Sequence, residues 1–128
     1  MIDVNKYPIH HVGIALTLER FQEITLNKEI NHDKTQGVQT YFEKNDLFDC
    51  YIEYFTITGR AKNYKPGFNH VCYKLEEESD FEKFKNKMIE TQTGIQLTEL
   101  EKSGSPECNK VVFCYLSGVG IVEFNIND

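Results

Sequence analysis

His11-Val12-Gly13-Ile14-Ala15-Leu16 and His70-Val71-Cys72-Tyr73-Lys74-Leu75 are two versions of one phrase. Each opens on a His, continues through β-branched or aromatic residues and closes on Leu. A second pair follows the same logic: Ile52-Glu53-Tyr54-Phe55-Thr56-Ile57 is answered by Val122-Glu123-Phe124-Asn125-Ile126. Between the members of each pair the elements run in the same order: strand, helix, strand, strand, strand. Self-similarity at this spacing marks a repeated supersecondary unit. Residues 8–60 and 66–127 therefore read as two βαβββ modules, joined by a linker from Arg60 to Pro66 between Gly59 and Gly67. The predicted fold is α+β, a single domain over 1–128 in which the tandem modules form a curved, barrel-like mixed sheet with helices on the outside.

The local patterns support this division. Strand-like runs rich in β-branched and aromatic residues, bounded by turn formers, cover 10–16, 37–44, 49–57, 67–75, 94–99, 110–116 and 119–126. From Ser79 onward Phe81, Phe84, Met88 and Ile89 recur at helical spacing among Glu82, Lys83, Lys85 and Lys87, which predicts an amphipathic helix. Ser79 or Asp80 is its expected cap, and Gly94 lies just past its end. A shorter helix is expected over 18–26, with Phe21, Ile24 and Thr25 on one side. The polar stretch 27–36 reads as a long loop or a poorly marked strand.

Composition narrows the function classes. At 128 residues there is room for one ordinary domain. Fourteen Lys and Arg against twenty Asp and Glu give a formal charge of -6, the wrong sign for neutralising nucleic-acid phosphates. No run approaches the ~20 apolar residues of a membrane span. The start, MIDVNKYPIHH, lacks the basic and apolar regions of a signal peptide, so a soluble cytoplasmic protein is expected. Cys50, Cys72, Cys108 and Cys114 show neither C-x-x-C spacing nor the density of a disulfide scaffold, and read as reduced thiols.

Each module places a His near the start of its first strand and a Glu in its last. Side chains alternate faces along a strand. His11 therefore lies opposite Val12, Ile14 and Leu16; Glu53 opposite Ile52 and Tyr54; His70 opposite Val71 and Tyr73; and Glu123 opposite Val122, Phe124 and Ile126. If the apolar faces pack under helices, the four polar residues point into the space that the sheets enclose. Two imidazoles and two carboxylates suit a divalent ion such as Zn, Ni, Co, Mn or Fe, and the absence of thiolates argues against a structural zinc site. Four protein ligands around a six-coordinate ion leave positions for water or substrate, a geometry that polarises a carbonyl and stabilises an enediolate. A lone strand His or Glu is usually a structural or solvated residue; recurrence at matching places in a repeat is what favours one shared site.

This arrangement resembles the vicinal oxygen chelate superfamily, in its glyoxalase I and methylmalonyl-CoA epimerase branch, over nearly the whole chain. His10-His11-Val12-Gly13-Ile14-Ala15 resembles the family's first strand, and Tyr51-Ile52-Glu53-Tyr54 with Gly59-Arg60 its "ELL…GR" passage. Gly67-Phe68-Asn69-His70-Val71 is similar to its "GxHH" strand, and Val119-Gly120-Ile121-Val122-Glu123 to its closing "GxLVE" strand. The resemblance implies a metal-dependent lyase or isomerase that moves a proton at the carbon next to a carbonyl. Its implied ligands are His11, Glu53, His70 and Glu123, with Glu123 also the catalytic base, a divalent metal (Zn, Ni, Co or Mn) as cofactor, a small carbonyl or thioester substrate, and a homodimer. One departure concerns the epimerases' second, non-ligand Glu: its position before Gly37-Val38 is Thr35 here.

The alternative is a non-enzymatic binding protein of the bleomycin-resistance type, which shares the fold and lacks the ligands. A two-His, one-Glu iron dioxygenase is disfavoured by the extra carboxylate, Glu53, and by chain length. Arg60, Lys62, Lys65 and Lys110 are candidates for holding glutathione or coenzyme A, each set against an ordinary solvated charge. His10 is expected to flank the site or face solvent, and His32 to sit in a polar loop. Tyr7, Tyr41, Tyr51, Tyr54 and Phe55 are candidate cavity or core aromatics. Cys72 as a nucleophile lacks a third, orienting group.

Overall fold

The structure, a computed structural model, describes residues 7–47 and 49–127. Residues 1–6, most of the start read above as lacking a leader, lie outside the described residues. Module one comprises β1 (Ile9–Leu16), α1 (Leu18–Ile24), β2 (Asn31–Asp33), β3 (Val38–Asn45) and β4 (Cys50–Thr56), followed by a 3-10 turn over Gly59–Ala61. Module two comprises β5 (Gly67–Leu75), α2 (Glu78–Thr91), β6 (Gly94–Gln96), β7 (Glu101–Lys102), β8 (Lys110–Leu116) and β9 (Gly120–Ile126). The polar stretch 27–36 thus contains the short strand β2, and β7 is a strand that the pattern did not mark. Among the described residues no helix is long and apolar enough to cross a membrane.

One nine-stranded mixed sheet runs in the order β2-β3-β4-β1-β5-β9-β8-β6, with β7 paired to β8. Each module's first strand lies parallel to its last, β1 with β4 and β5 with β9, and the two first strands meet antiparallel at the centre. The sheet does not close into a barrel. Its two ends are instead bridged by polar contacts: Asn31 Nδ2 donates to the Gly104 carbonyl at 3.0 Å, and Arg60 Nη1 pairs with Glu101 Oε1 at 2.6 Å.

In module two the predicted face holds. Phe81, Phe84 and Met88 of α2 pack on Val122, Phe124, Ile126, Val112, Cys114 and Leu116, with Phe124 fully buried against the Phe84 ring at 4.7 Å. Ile89, placed on that face by periodicity, is 61% exposed. The helix is capped by Glu77, with the Asp80 side chain returning to the cap backbone, so the start lies ahead of the expected Ser79 or Asp80. Gln92, at φ 55°, ends it in the left-handed region where glycine was expected.

Module one is built differently. α1 has two turns and buries only Phe21, too little to cover the outer face of its strands. Val12, Ile14 and Leu16 are therefore half-buried, where the sequence reading placed them under a helix. The apolar cluster of this module, Ala15, Val38, Phe55 and Ala61, lies instead on the inner face with Tyr64 against it. The 3-10 turn is pinned there: a Cβ on Gly59 would come within 2.3 Å of the Gln36 carbonyl, and Gly59 has φ +51°.

Candidate metal centre

The four sequence-derived donors sit on the four central strands, β4, β1, β5 and β9. Cross-strand register places Glu53 beside Gly13 and Gly13 beside His70 in one row. In the neighbouring row His11 stands beside Cys72 and Cys72 beside Glu123. Gly13 is what lets the His70 ring lie over β1, because a Cβ there would fall 2.2 Å from His70 Cε1.

The donor atoms converge. His11 Nε2 is 2.9 Å from Glu123 Oε1 and 3.4 Å from Glu53 Oε1; His70 Nε2 is 3.1 Å and 3.6 Å from the same oxygens. The two Nε2 atoms are 3.3 Å apart. All four donors lie within 4.8 Å of one another. At bond lengths of about 2.0–2.1 Å to a divalent ion, neighbouring ligands stand about 2.9 Å apart at a right angle and about 3.4 Å apart at the tetrahedral angle. The separations span that interval, and two carboxylates with two neutral imidazoles match a divalent charge. The residues fit the ion that the sequence called for.

The centre is buried, with His11 at 1%, His70 at 2% and Glu123 at 4% exposure. Burial alone would lower the His11 pKa; the Cys72, Glu123 and Glu53 groups around it outweigh this and hold it well above 6.5. Burial alone would raise Glu123; the charge of His11 and hydrogen bonds from His11 and His70 outweigh it and keep the carboxylate below its ordinary range. Behind the donors, His70 Nδ1 is 2.7 Å from Asn69 Oδ1, and His11 Nδ1 is 2.8 Å from His10 Nδ1. His10 is 7% exposed and flanks the site, where burial and its neighbour His11 lower its pKa to about 4.

A cavity of about 140 Å³ opens beside Glu53, His70 and Glu123. Its walls include Phe55, Tyr64, Leu97 and Phe113, and among the described residues Arg60 is the one Lys or Arg side chain that lines it. Of the candidate aromatics only Phe55 lines it. Tyr64 and Phe113 were missed, and parity could have found Phe113, which pairs with Glu123 across β8 and β9. Among the candidate cations, Lys62 and Lys65 are exposed away from the cavity wall and Lys110 pairs with Glu78. His32 is exposed and lies in β2. Cys72 is fully buried and its thiol pKa is pushed well up by burial, the wrong direction for a nucleophile. Thr35 is exposed and does not line the cavity.

No protein-family model matches the chain, and no curated protein matches it in sequence. Solved structures do match in shape. Methylmalonyl-CoA epimerase from Mycobacterium tuberculosis superposes with a TM-score of 0.64 at 14% identity, over 100% of this chain and 93% of that one. A variant of the Streptomyces coelicolor methylmalonyl-CoA epimerase, in complex with 2-nitronate-propionyl-CoA, gives 0.60 at 19% identity over 94% and 97%. A hypothetical protein from Bacillus halodurans gives 0.59 at 15% over 94% of each chain. With its paired β1–β4 and β5–β9 modules meeting at β1 and β5, the chain has the vicinal oxygen chelate fold.

Proposed function

We propose that this protein is a metal-dependent enzyme that transfers a proton at the carbon next to a carbonyl, in the manner of an epimerase or glyoxalase, on a small carbonyl or thioester compound. The observation that carries this reading is the convergence of His11, Glu53, His70 and Glu123, with nitrogen–oxygen separations of 2.9–3.6 Å, beside a cavity that the last three line. The likeness in fold to proteins that handle a methylmalonyl thioester supports it. A bound divalent ion would polarise the substrate carbonyl and so acidify the neighbouring C–H.

The chain's own residues supply the rest. Glu123 is the base. Its carboxylate would be held by a bound ion; once substrate loosens that hold, the burial of Glu123 is left unopposed and its basicity rises. Glu53, with longer contacts and 13% side-chain exposure, stays as a ligand. Tyr64 keeps its phenol proton, because burial and then the charge of Glu123 raise its pKa, and it offers that O–H to the substrate. Phe55 and Phe113 exclude water. A cavity of about 140 Å³ is below the usual ~300–1,000 Å³ of a ligand pocket, so it takes the reacting acyl head while the remainder of a thioester stays outside, past Arg60.

Metal analysis of protein purified without added metal, with solvent-deuterium exchange on a panel of thioesters and 2-oxo compounds, tests this. Exchange by the metal-loaded protein and its loss in Glu123→Gln are expected. Absence of stoichiometric metal, with small-molecule binding indifferent to chelator, would overturn it in favour of a binding protein. The protein is further proposed to be a homodimer, since β2 and β6 leave open edges and Ile89, Ile95 and Tyr115 are exposed around β6; a monomer in light scattering at micromolar concentration refutes that.

A further inference from the structure

We propose that His10 is a positioning residue for the metal centre: it accepts the Nδ1 proton of His11 and thereby makes Nε2 of His11 the nitrogen that is left for a bound ion. This rests on the metal-dependent reading above and adds to it a residue that acts through a ligand.

The direction of each hydrogen bond follows from what its partner can do. The Glu107 backbone carbonyl, 2.9 Å from His10 Nε2, can only accept, so Nε2 of His10 carries the proton and donates it. A neutral imidazole has one N–H, which makes His10 Nδ1 an acceptor. His11 Nδ1 lies 2.8 Å from it and must be the donor. With an ion bound, the single proton of neutral His11 is then fixed on Nδ1 and its Nε2 lone pair is left for the ion beside Glu123, Glu53 and His70; in the metal-free chain the ring keeps a second proton at Nε2, donated to Glu123 Oε1 at 2.9 Å. The reverse direction would need two protons on His10 and would place the His11 proton at Nε2, against the other donors.

His70 reaches the same state by a shorter route, through Nδ1 and the Asn69 side-chain oxygen at 2.7 Å. The two imidazoles are thus oriented by different devices, an amide for His70 and a second imidazole for His11. His10 cannot swing away readily. It is 7% exposed, and its ring packs against Tyr51 with centroids 5.5 Å apart and Phe42 at 6.5 Å. The carbonyl that starts the relay belongs to the connection between β7 and β8 in module two, whereas the ligand it sets belongs to module one. Hydrogen bonds of this kind to the second ring nitrogen of a metal-bound His typically change metal affinity by 10–100-fold when removed.

The test uses the full chain and zinc, in three forms: unmodified, His10→Phe and His10→Asn. Zinc affinity is read by competition with a chromophoric chelator, and folding by circular dichroism. His10→Phe keeps a ring and loses the acceptor, so its zinc dissociation constant is expected to rise by about 10–100-fold. His10→Asn offers an amide oxygen to His11 and an amide N–H to Glu107, and is expected to recover most of that loss. In the zinc-loaded unmodified protein, 15N NMR should show His10 protonated at Nε2, His11 protonated at Nδ1, and a scalar coupling between the two Nδ1 atoms across the hydrogen bond. Zinc affinity unchanged in His10→Phe, or a folded His10→Asn as weak as His10→Phe, or His10 protonated at Nδ1, overturns the proposal. If neither variant folds, the NMR result on the unmodified protein decides. Failure of the unmodified protein to bind zinc removes the metal-dependent reading and this proposal with it, an outcome separate from a difference among the three forms.

Discussion

Replacing Gly13 by alanine should disable the metal centre without adding or removing any ligand. A Cβ at this position would lie 2.2 Å from His70 Cε1, 2.6 Å from Nδ1 and 2.7 Å from Nε2. Ordinary contact begins at 3.4 Å, so the ring must retreat by about 1.2 Å. It has little room to do so. Phe113 stands edge-on to His70 with centroids 5.4 Å apart, Phe55 lies at 5.9 Å, and the hydrogen bond to Asn69 fixes the ring's far nitrogen. A displacement of about 1 Å at a reacting centre commonly lowers rate by ~10²-fold, and a His70 nitrogen moved that far no longer completes the donor set. The expected result for Gly13→Ala is therefore a folded protein whose zinc affinity and proton-exchange rate both fall by on the order of 10²-fold. Chelator competition measures the first, deuterium incorporation followed by NMR the second, and thermal unfolding of the metal-free form checks the fold. Gly13→Ala binding zinc as tightly as the unmodified chain would refute the claim that this glycine makes room for the His70 ring.

Zinc binding at pH 7 should release about one proton, because metal-free His11 is held protonated and must give that proton up; titration calorimetry in buffers of different ionisation enthalpy reads the number directly. Apparent zinc affinity should accordingly rise with pH and level off above the raised His11 value. In the metal-free chain the His11 contribution to stability is complete below pH ~6.5 and is lost as pH rises through that raised value, while the Glu123 contribution is complete above pH ~4.3 and is lost as pH falls through its lowered one. Thermal unfolding from pH 2 to 10 should show a plateau between about pH 4.3 and 6.5, with stability falling on either side. Cys72, with its pKa raised well above 9, and Cys108 and Cys114, each pushed up to about 11, should resist iodoacetamide at pH 7.5 in the native protein and react after urea unfolding, as mass spectrometry would show. Phe124→Ala, which empties the fully buried centre of the α2 core, should lower stability by about 3–5 kcal/mol in urea titration.

The repeat was readable because both devices that encode it are local. Period-two alternation fixed the inward direction of His11, Glu53, His70 and Glu123, and matching placement in two modules singled them out from other His and Glu residues. What was not legible depends on contacts between elements. His10 looked like a neighbour of a ligand, yet its role needs the Glu107 carbonyl, far along the chain and delivered by the β7–β8 connection. The cavity wall was similarly hidden, since Tyr64 comes from the segment that read as a linker. Module one misled the amphipathic argument for a physical reason: its helix buries one side chain, so its apolar cluster lies on the same face as the metal donors.

The junction of β1 and β5 gives the donor rows a mechanical meaning. Glu53 and His11 stand on one side of it, His70 and Glu123 on the other, so each half of the protein contributes one imidazole and one carboxylate. Neither half alone has the valence to retain a cation firmly. An ion seated there would act as a clasp between two halves that also meet by strand pairing and by the polar bridges at the sheet ends. At a free concentration 100-fold above its dissociation constant it adds about 2.7 kcal/mol against their separation. On the proposed metal-dependent reading, occupancy and the integrity of the duplicated architecture would be one thermodynamic quantity, and stripping the cation would loosen the whole body as well as silence its chemistry.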